Sequence, residues 1–242
     1  MKTFCVGDIH GSLDALLQVL ERSSFNNGED RLIFLGDYVD GWSQSSQLIE
    51  FLIDLDKNST QGHIFLSGNH DVWMKDWLNS GKKEYVWECN GGKSTISSYV
   101  KSANVANQEH KDFFNNLRRY YVDEENRCFV HAGLDSFDGV EEDSENISFW
   151  DREFWWVQMN HRDWKYNPAT NYKEVYIGHT PTINYKDSDN KYIETPMLIG
   201  NVTNLDTGCG WGGKLSLQNI ETKELFQSDK SSDLHYGEVG RG

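Results

Sequence analysis

An α/β domain is the fold class the sequence predicts, and three observations carry it. Apolar runs of strand length alternate with segments of helical periodicity in the first third of the chain. Those runs end in glycine-led polar turns, the pattern of a mainly parallel, layered sheet whose strand ends face a crevice. The 242 residues also suffice to bury one sizeable core without disulfides.

The elements follow in order. Residues 3–7 form the first predicted strand, and residues 12–22 carry Leu13, Leu16, Leu17 and Leu20 at helical spacing with Ser12 as N-cap. A second strand spans 31–36 and a second helix 43–55, with Leu48, Phe51, Leu52 and Leu55 on one face; a third strand spans 63–67. From about 73 to 121 the pattern predicts a helical insertion, with Trp73, Trp77, Tyr85 and Trp87 early and Phe113, Phe114 and Leu117 late. Strands return at 127–130, 175–177 and 214–220, the last behind the glycine-rich turn 208–213. Residues 138–173, rich in Trp, Asp and Asn, are expected to form a long surface excursion. One domain over 1–227 is then followed by a polar tail, 228–242, expected to be loosely ordered.

Composition narrows the function classes. A formal net charge of −15 speaks against a broad basic surface for nucleic acid, so an anionic substrate must be drawn in by a local cationic site. Cys5, Cys89, Cys128 and Cys209 contain no C-x-x-C pair, which fits a reducing cytoplasm and neither a zinc ribbon nor a disulfide framework. The apolar start is too short for a signal peptide, and no run approaches the roughly 18 apolar residues of a membrane span.

Five strand-like runs end in groups that can bind metal: Asp8 and His10 in "GDIHG", Asp37 in "GDYVD", Asn69 in "GNHD", His131 in "VHAG" and His179 in "IGHT". Burying such carboxylates and imidazoles without cations would cost several kcal/mol per uncompensated charge. Two divalent cations about 3.5 to 4 Å apart, sharing one carboxylate, remove that cost and suit in-line displacement at phosphorus. Mixed Asp, His and Asn donors favour manganese, with iron or zinc as alternatives, over calcium.

Taken in order, these motifs resemble those of the calcineurin-like metallophosphoesterase superfamily. The runs "FVHAGLDSFD", "SFWDREFW", "YIGHTP" and "NLDTG" are most similar to the compact bacterial and bacteriophage lambda-type branch of the phosphoprotein phosphatases. The resemblance implies a layered metallophosphoesterase fold, a β-sheet sandwich flanked by helices, with a dinuclear centre at the carboxyl ends of strands. It implies that Asp8 and His10 hold one metal, that Asn69, His131 and His179 hold the other, and that Asp37 bridges them. His70 would be the general acid, paired with Asp40, and Asn69 and Arg152 would contact the substrate phosphate. The implied activity is phosphomonoester hydrolysis on a phosphoprotein or small phosphoester by direct attack of water.

Three departures open a second substrate class. The family pattern has Arg where this chain has Gly41 and Ser67, and Glu where it has Asp71. The lost guanidinium groups and Asp71 bring it closer to nucleotide-directed enzymes, either dinucleoside polyphosphate hydrolases or phosphodiesterases. A metal-loaded binding module without activity is the third reading. The tryptophans Trp42, Trp73, Trp77, Trp150, Trp155, Trp156, Trp164 and Trp211 could stack a base or phosphotyrosine ring, but core and loop anchoring is the favoured expectation.

Overall fold

A computed structural model describes residues 1–135, 139–160 and 170–241 of the chain. Trp164, the last residues of the "FVHAGLDSFD" run and the middle of the 138–173 excursion lie outside the described residues. The element order is β1 (Thr3–Val6), α1 (Leu13–Arg22), β2 (Arg31–Phe34), α2 (Ser45–Lys57), β3 (Ile64–Phe65), α3 (Asn69–Ser80), α4 (Tyr85–Trp87), α5 (Lys93–Lys101) and α6 (Gln108–Asn115). There follow β4 (Tyr120–Val122), β5 (Arg127–Val130), α7 (Glu145–Trp150), α8 (Glu153–Asn160), β6 (Glu174–Ile177), β7 (Met197–Ile199), β8 (Val202–Asn204), β9 (Ser216–Asn219), β10 (Leu225–Gln227) and α9 (Ser231–Leu234).

Two five-stranded sheets stack face to face, ordered β10-β9-β1-β2-β3 and β4-β5-β6-β8-β7. Strands β1, β2 and β3 run parallel in the first sheet, and β5, β6 and β8 in the second. The two-residue alternation of a strand sorts side chains between layers. Cys5, Ile33 and Leu35 meet Phe129 and Tyr176 between the sheets. Phe4, Val6, Leu32 and Phe34 face the helical layer of α1, α2 and α3, while Cys128, Val130, Val175 and Ile177 face Phe154 and Trp155 of α8. The predicted β-sandwich flanked by helices is the fold observed. No helix among the described residues is long and apolar enough to cross a membrane.

The structure departs from expectation in three places. Ser12 occupies the N-cap position of α1 without capping it; its hydroxyl lies 2.8 Å from His235 Nε2, and Gln44 Oε1 accepts the Asp14 N–H instead. The 138–173 stretch is not only a surface excursion, since α7 and α8 bury Phe149, Phe154 and Trp155. The segment 228–241 is not loose. Ser231 and His235 are buried, and the His235 ring stacks on Trp42 with centroids 4.8 Å apart.

Candidate metal centre

The turns after β1, β2, β3, β5 and β6 converge on one buried cluster at the carboxyl ends of the parallel strands of both sheets. Four of its non-glycine residues adopt left-handed backbone: His10 (φ 52°), Asp37 (φ 52°), Asp40 (φ 73°) and His179 (φ 67°). Such conformations cost about 1–3 kcal/mol each and persist where surrounding structure enforces them, which is common at functional sites. Asp71 does much of the enforcing after β2. Its carboxylate accepts the N–H groups of Asp37 (2.7 Å), Tyr38 (3.0 Å) and Gly68 (2.8 Å), so a side chain that suggested substrate choice is a tie between two site loops.

The carboxylates are seated against glycines. A Cβ on Gly68 would collide with Asp37 Oδ1, and a Cβ on Gly178 with Asp8 Oδ1. Asp37 lies at the centre, with Oδ2 3.5 Å from His10 Nε2 and 3.4 Å from His131 Nε2. Two donor groups share it: His10, Asp37 and His70 on one side, and Asp37, His131 and His179 on the other, each with ligand-type atoms within 4.8 Å of one another.

Second contacts orient the imidazoles. His10 Nδ1 lies 3.0 Å from the Val39 carbonyl and His131 Nδ1 2.9 Å from that of Leu35. A carbonyl only accepts, so each Nδ1 carries the proton and each Nε2 offers a lone pair to the cluster. Asn69 Oδ1 stands 3.3 Å from His131 Nε2, two acceptors that a shared cation would reconcile. Asp8 Oδ1 and His179 Nε2 are buried without any partner.

The electrostatics agree with that donor set. Burial, followed by Asp206 and Asp37, raises the Asp8 carboxyl well above its usual range, and burial raises Asp206 to about 6. Burial also disfavours charge on Asp37, but His131, His70 and His10 outweigh it and hold its carboxyl well below the ordinary value. Burial lowers His10 and His179, which keeps them in the neutral form that ligates metal. Buried acids beside imidazoles that turn lone pairs toward them are a chemical fit for divalent metal.

His70 and Asp40 stand beside this cluster. His70 Nδ1 lies 2.7 Å from Asp40 Oδ2, and its Nε2 is buried without a partner. Asp40 also accepts the Trp87 indole N–H at 2.6 Å and the Thr95 hydroxyl at 2.7 Å. Burial pushes Asp40 up to about 8 against those hydrogen bonds, and burial pushes His70 down to about 3 against the pull of Asp37. Desolvation of the ring is thus a larger influence on His70 than its charged neighbours.

Arg152 reaches the rim, its Nη1 3.4 Å from both the His179 carbonyl and Thr180 Oγ1. Ser67 contributes only a hydroxyl bonded to the adjacent Gly68 carbonyl. Two site residues escaped the sequence reading. Asp206 ends the β8 run as Asp8 ends β1, so the same strand-end pattern would have found it. Arg241, in the segment expected to be loose, lies with Nη1 3.2 Å from His10 Nε2 and carries no local signal at all. Among the tryptophans, Trp42, Trp77 and Trp155 are core, while Trp73 stands edge-on between His70 and Trp150.

Residues 1–199 match the family model described as calcineurin-like phosphoesterase. Curated relatives include the symmetrical bis(5'-nucleosyl)-tetraphosphatases of Dechloromonas aromatica, 22% identical with 96% of this chain and 97% of the relative covered, and of Pseudomonas putida, 26% identical with 96% and 94% covered. Among solved structures, a protein serine/threonine phosphatase from Saccharomyces cerevisiae superposes with a TM-score of 0.61 at 12% identity, covering 95% of this chain and 80% of that one.

Proposed function

The chain belongs to the calcineurin-like phosphoesterase family, and from that premise we propose that it hydrolyses dinucleoside polyphosphates at a dinuclear centre held by Asp8, His10, Asp37, Asn69, His131 and His179. The observation that carries the reaction class is the pair of buried donor groups sharing Asp37. The substrate class is supported by relatives named as symmetrical bis(5'-nucleosyl)-tetraphosphatases that align over nearly the full length of both chains. They favour the nucleotide-directed reading over the phosphoprotein one.

Divalent cations held there would supply Lewis acidity toward a phosphoryl oxygen and acidify a water enough for it to attack phosphorus near neutral pH. The chain's own residues do the rest. Asp37 holds the two halves of the centre in register, and Arg152 offers a guanidinium to the phosphoryl oxygens from the His179 side. His70, fixed through Nδ1 by Asp40, keeps Nε2 unpartnered beside the cluster. Bound phosphate offsets the desolvation that keeps the free ring neutral, so a proton taken up at Nε2 passes to the leaving oxygen as its bond to phosphorus breaks. Water provides the new oxygen, and a nucleoside diphosphate leaves.

Comparing kcat/KM for diadenosine tetraphosphate, a phosphoserine peptide and a bis-aryl phosphodiester, all with manganese, tests the substrate class. The dinucleotide should exceed the others by about a hundredfold, a transition-state preference of ~2.7 kcal/mol. A phosphopeptide rate exceeding the dinucleotide rate by that factor restores the phosphoprotein reading.

A further inference from the structure

We propose that Arg241 is a substrate-phosphate ligand, delivered to the centre by the segment 228–241 through a corridor of glycines. This rests on the phosphoesterase reading above and adds a residue to its binding site.

The segment is anchored along its length. Ser231 Oγ donates to the Cys209 carbonyl at 2.6 Å, and His235 stacks on Trp42 and bonds Ser12. Glu238 accepts from Ser43 N–H at 3.0 Å and Ser43 Oγ at 2.7 Å, and Arg241 N–H donates to the Gly210 carbonyl at 2.9 Å. The Arg241 stem then passes between two glycines. A Cβ on Gly41 would come within 3.1 Å of Arg241 Cγ, and one on Gly210 within 2.9 Å of Arg241 Cδ. A side chain at Gly41 would push the stem aside, and one at Gly210 would meet the His10 ring at 2.5 Å as well as the stem. The guanidinium lies over Trp211, 4.9 Å from the ring centroid.

That placement leaves donors unused. Arg241 Nε is buried without a partner, and the polar partner found for Nη1 is His10 Nε2. His10 Nε2 has one lone pair, which cannot serve Arg241 and a cation at once. With a cation on His10, the guanidinium keeps its stem, its stacking on Trp211 and its charge but loses that acceptor. An anionic, multidentate acceptor bound at the centre satisfies it, and phosphoryl oxygens match the planar fork of donors. Arg241 beside His10 and Arg152 beside His179 then border the centre from its two halves, an arrangement suited to a chain of phosphates.

Calorimetric titration of the manganese-loaded protein with inorganic phosphate tests this, with metal content measured by elemental analysis on the same samples. Arg241→Ala should weaken phosphate binding about tenfold, and Arg241→Lys, which keeps charge and stem but not the fork, by less; metal content should match the parent. Unchanged phosphate affinity in Arg241→Ala overturns the proposal. So does weakened binding accompanied by metal loss, which would make Arg241 a support for the centre. If phosphate binding depends on Arg241 while diadenosine tetraphosphate is not cleaved, the substrate reading fails and the assignment of Arg241 stands.

Discussion

Asp8 and Asp37 are held by what is missing opposite them. Gly178 and Gly68 leave room for carboxylate oxygens where any Cβ would collide. Gly178→Ala should therefore displace Asp8, and Gly68→Ala Asp37, each lowering bound metal to one equivalent or less by elemental analysis while circular dichroism still reports the fold. His70→Asn separates chemistry from metal binding. It should cut turnover by about a hundredfold to ten-thousandfold, the usual range for a general acid, with metal content unchanged. At this scale the sequence was informative wherever a candidate side chain follows its strand directly: Asp8, His10, Asp37, Asn69, His131 and His179 all reach one cluster. It was silent on Arg241, which approaches from 231 positions away in the chain, and on Trp87 and Thr95, whose bonds to Asp40 depend on how the helical region folds back.

At the scale of elements, the long periodic segments were legible and the short ones were not. Helices α1 and α2 follow their leucine spacing, whereas β4, β7 and β10, three residues each, are too brief for alternation to register. Between α4 and α5 the chain kinks at Asn90 and Gly91, where Gly91 (φ 98°) brings its carbonyl to the Gly41 N–H. No hydrophobic pattern announces such a contact. The β2–β3 edge offers a pH test remote from the metal site. His63 Nδ1 accepts the Leu32 N–H at 3.2 Å while Nε2 lies 2.8 Å from Asn27 Oδ1, so the neutral ring is the bonded form. Burial lowers its pKa. The unfolded chain then binds the proton more tightly, and the stability from this residue is present above about pH 6.5 and lost as pH falls below it. Urea midpoints measured at pH 7.5 and 5.5 should fall less in His63→Gln than in the parent; equal falls would show that the ring contributes nothing to that slope.

Across the whole molecule, the two sheets explain why acids and imidazoles spread from residue 8 to residue 206 meet. Parallel strands in both sheets end on the same side, and their turns carry the acids and imidazoles into one layer. The layered class was legible because β1, β2, β5 and β6 are apolar on both faces, as strands buried between a second sheet and helices must be. The sites with missing arginines at Gly41 and Ser67 looked like a loss; the fold instead places Arg241 across Gly41 and Arg152 at the opposite rim. In a chain of net charge −15, these two guanidinium groups set a local positive potential at the cluster against the charge of the whole.

The most direct test of the account is a metal titration read by turnover. Protein stripped by chelator and titrated with manganese should hydrolyse diadenosine tetraphosphate in proportion to metal added, reaching its plateau at two equivalents per chain. Full turnover in the stripped protein, or a plateau reached with no metal retained, would contradict a dinuclear centre built on Asp37.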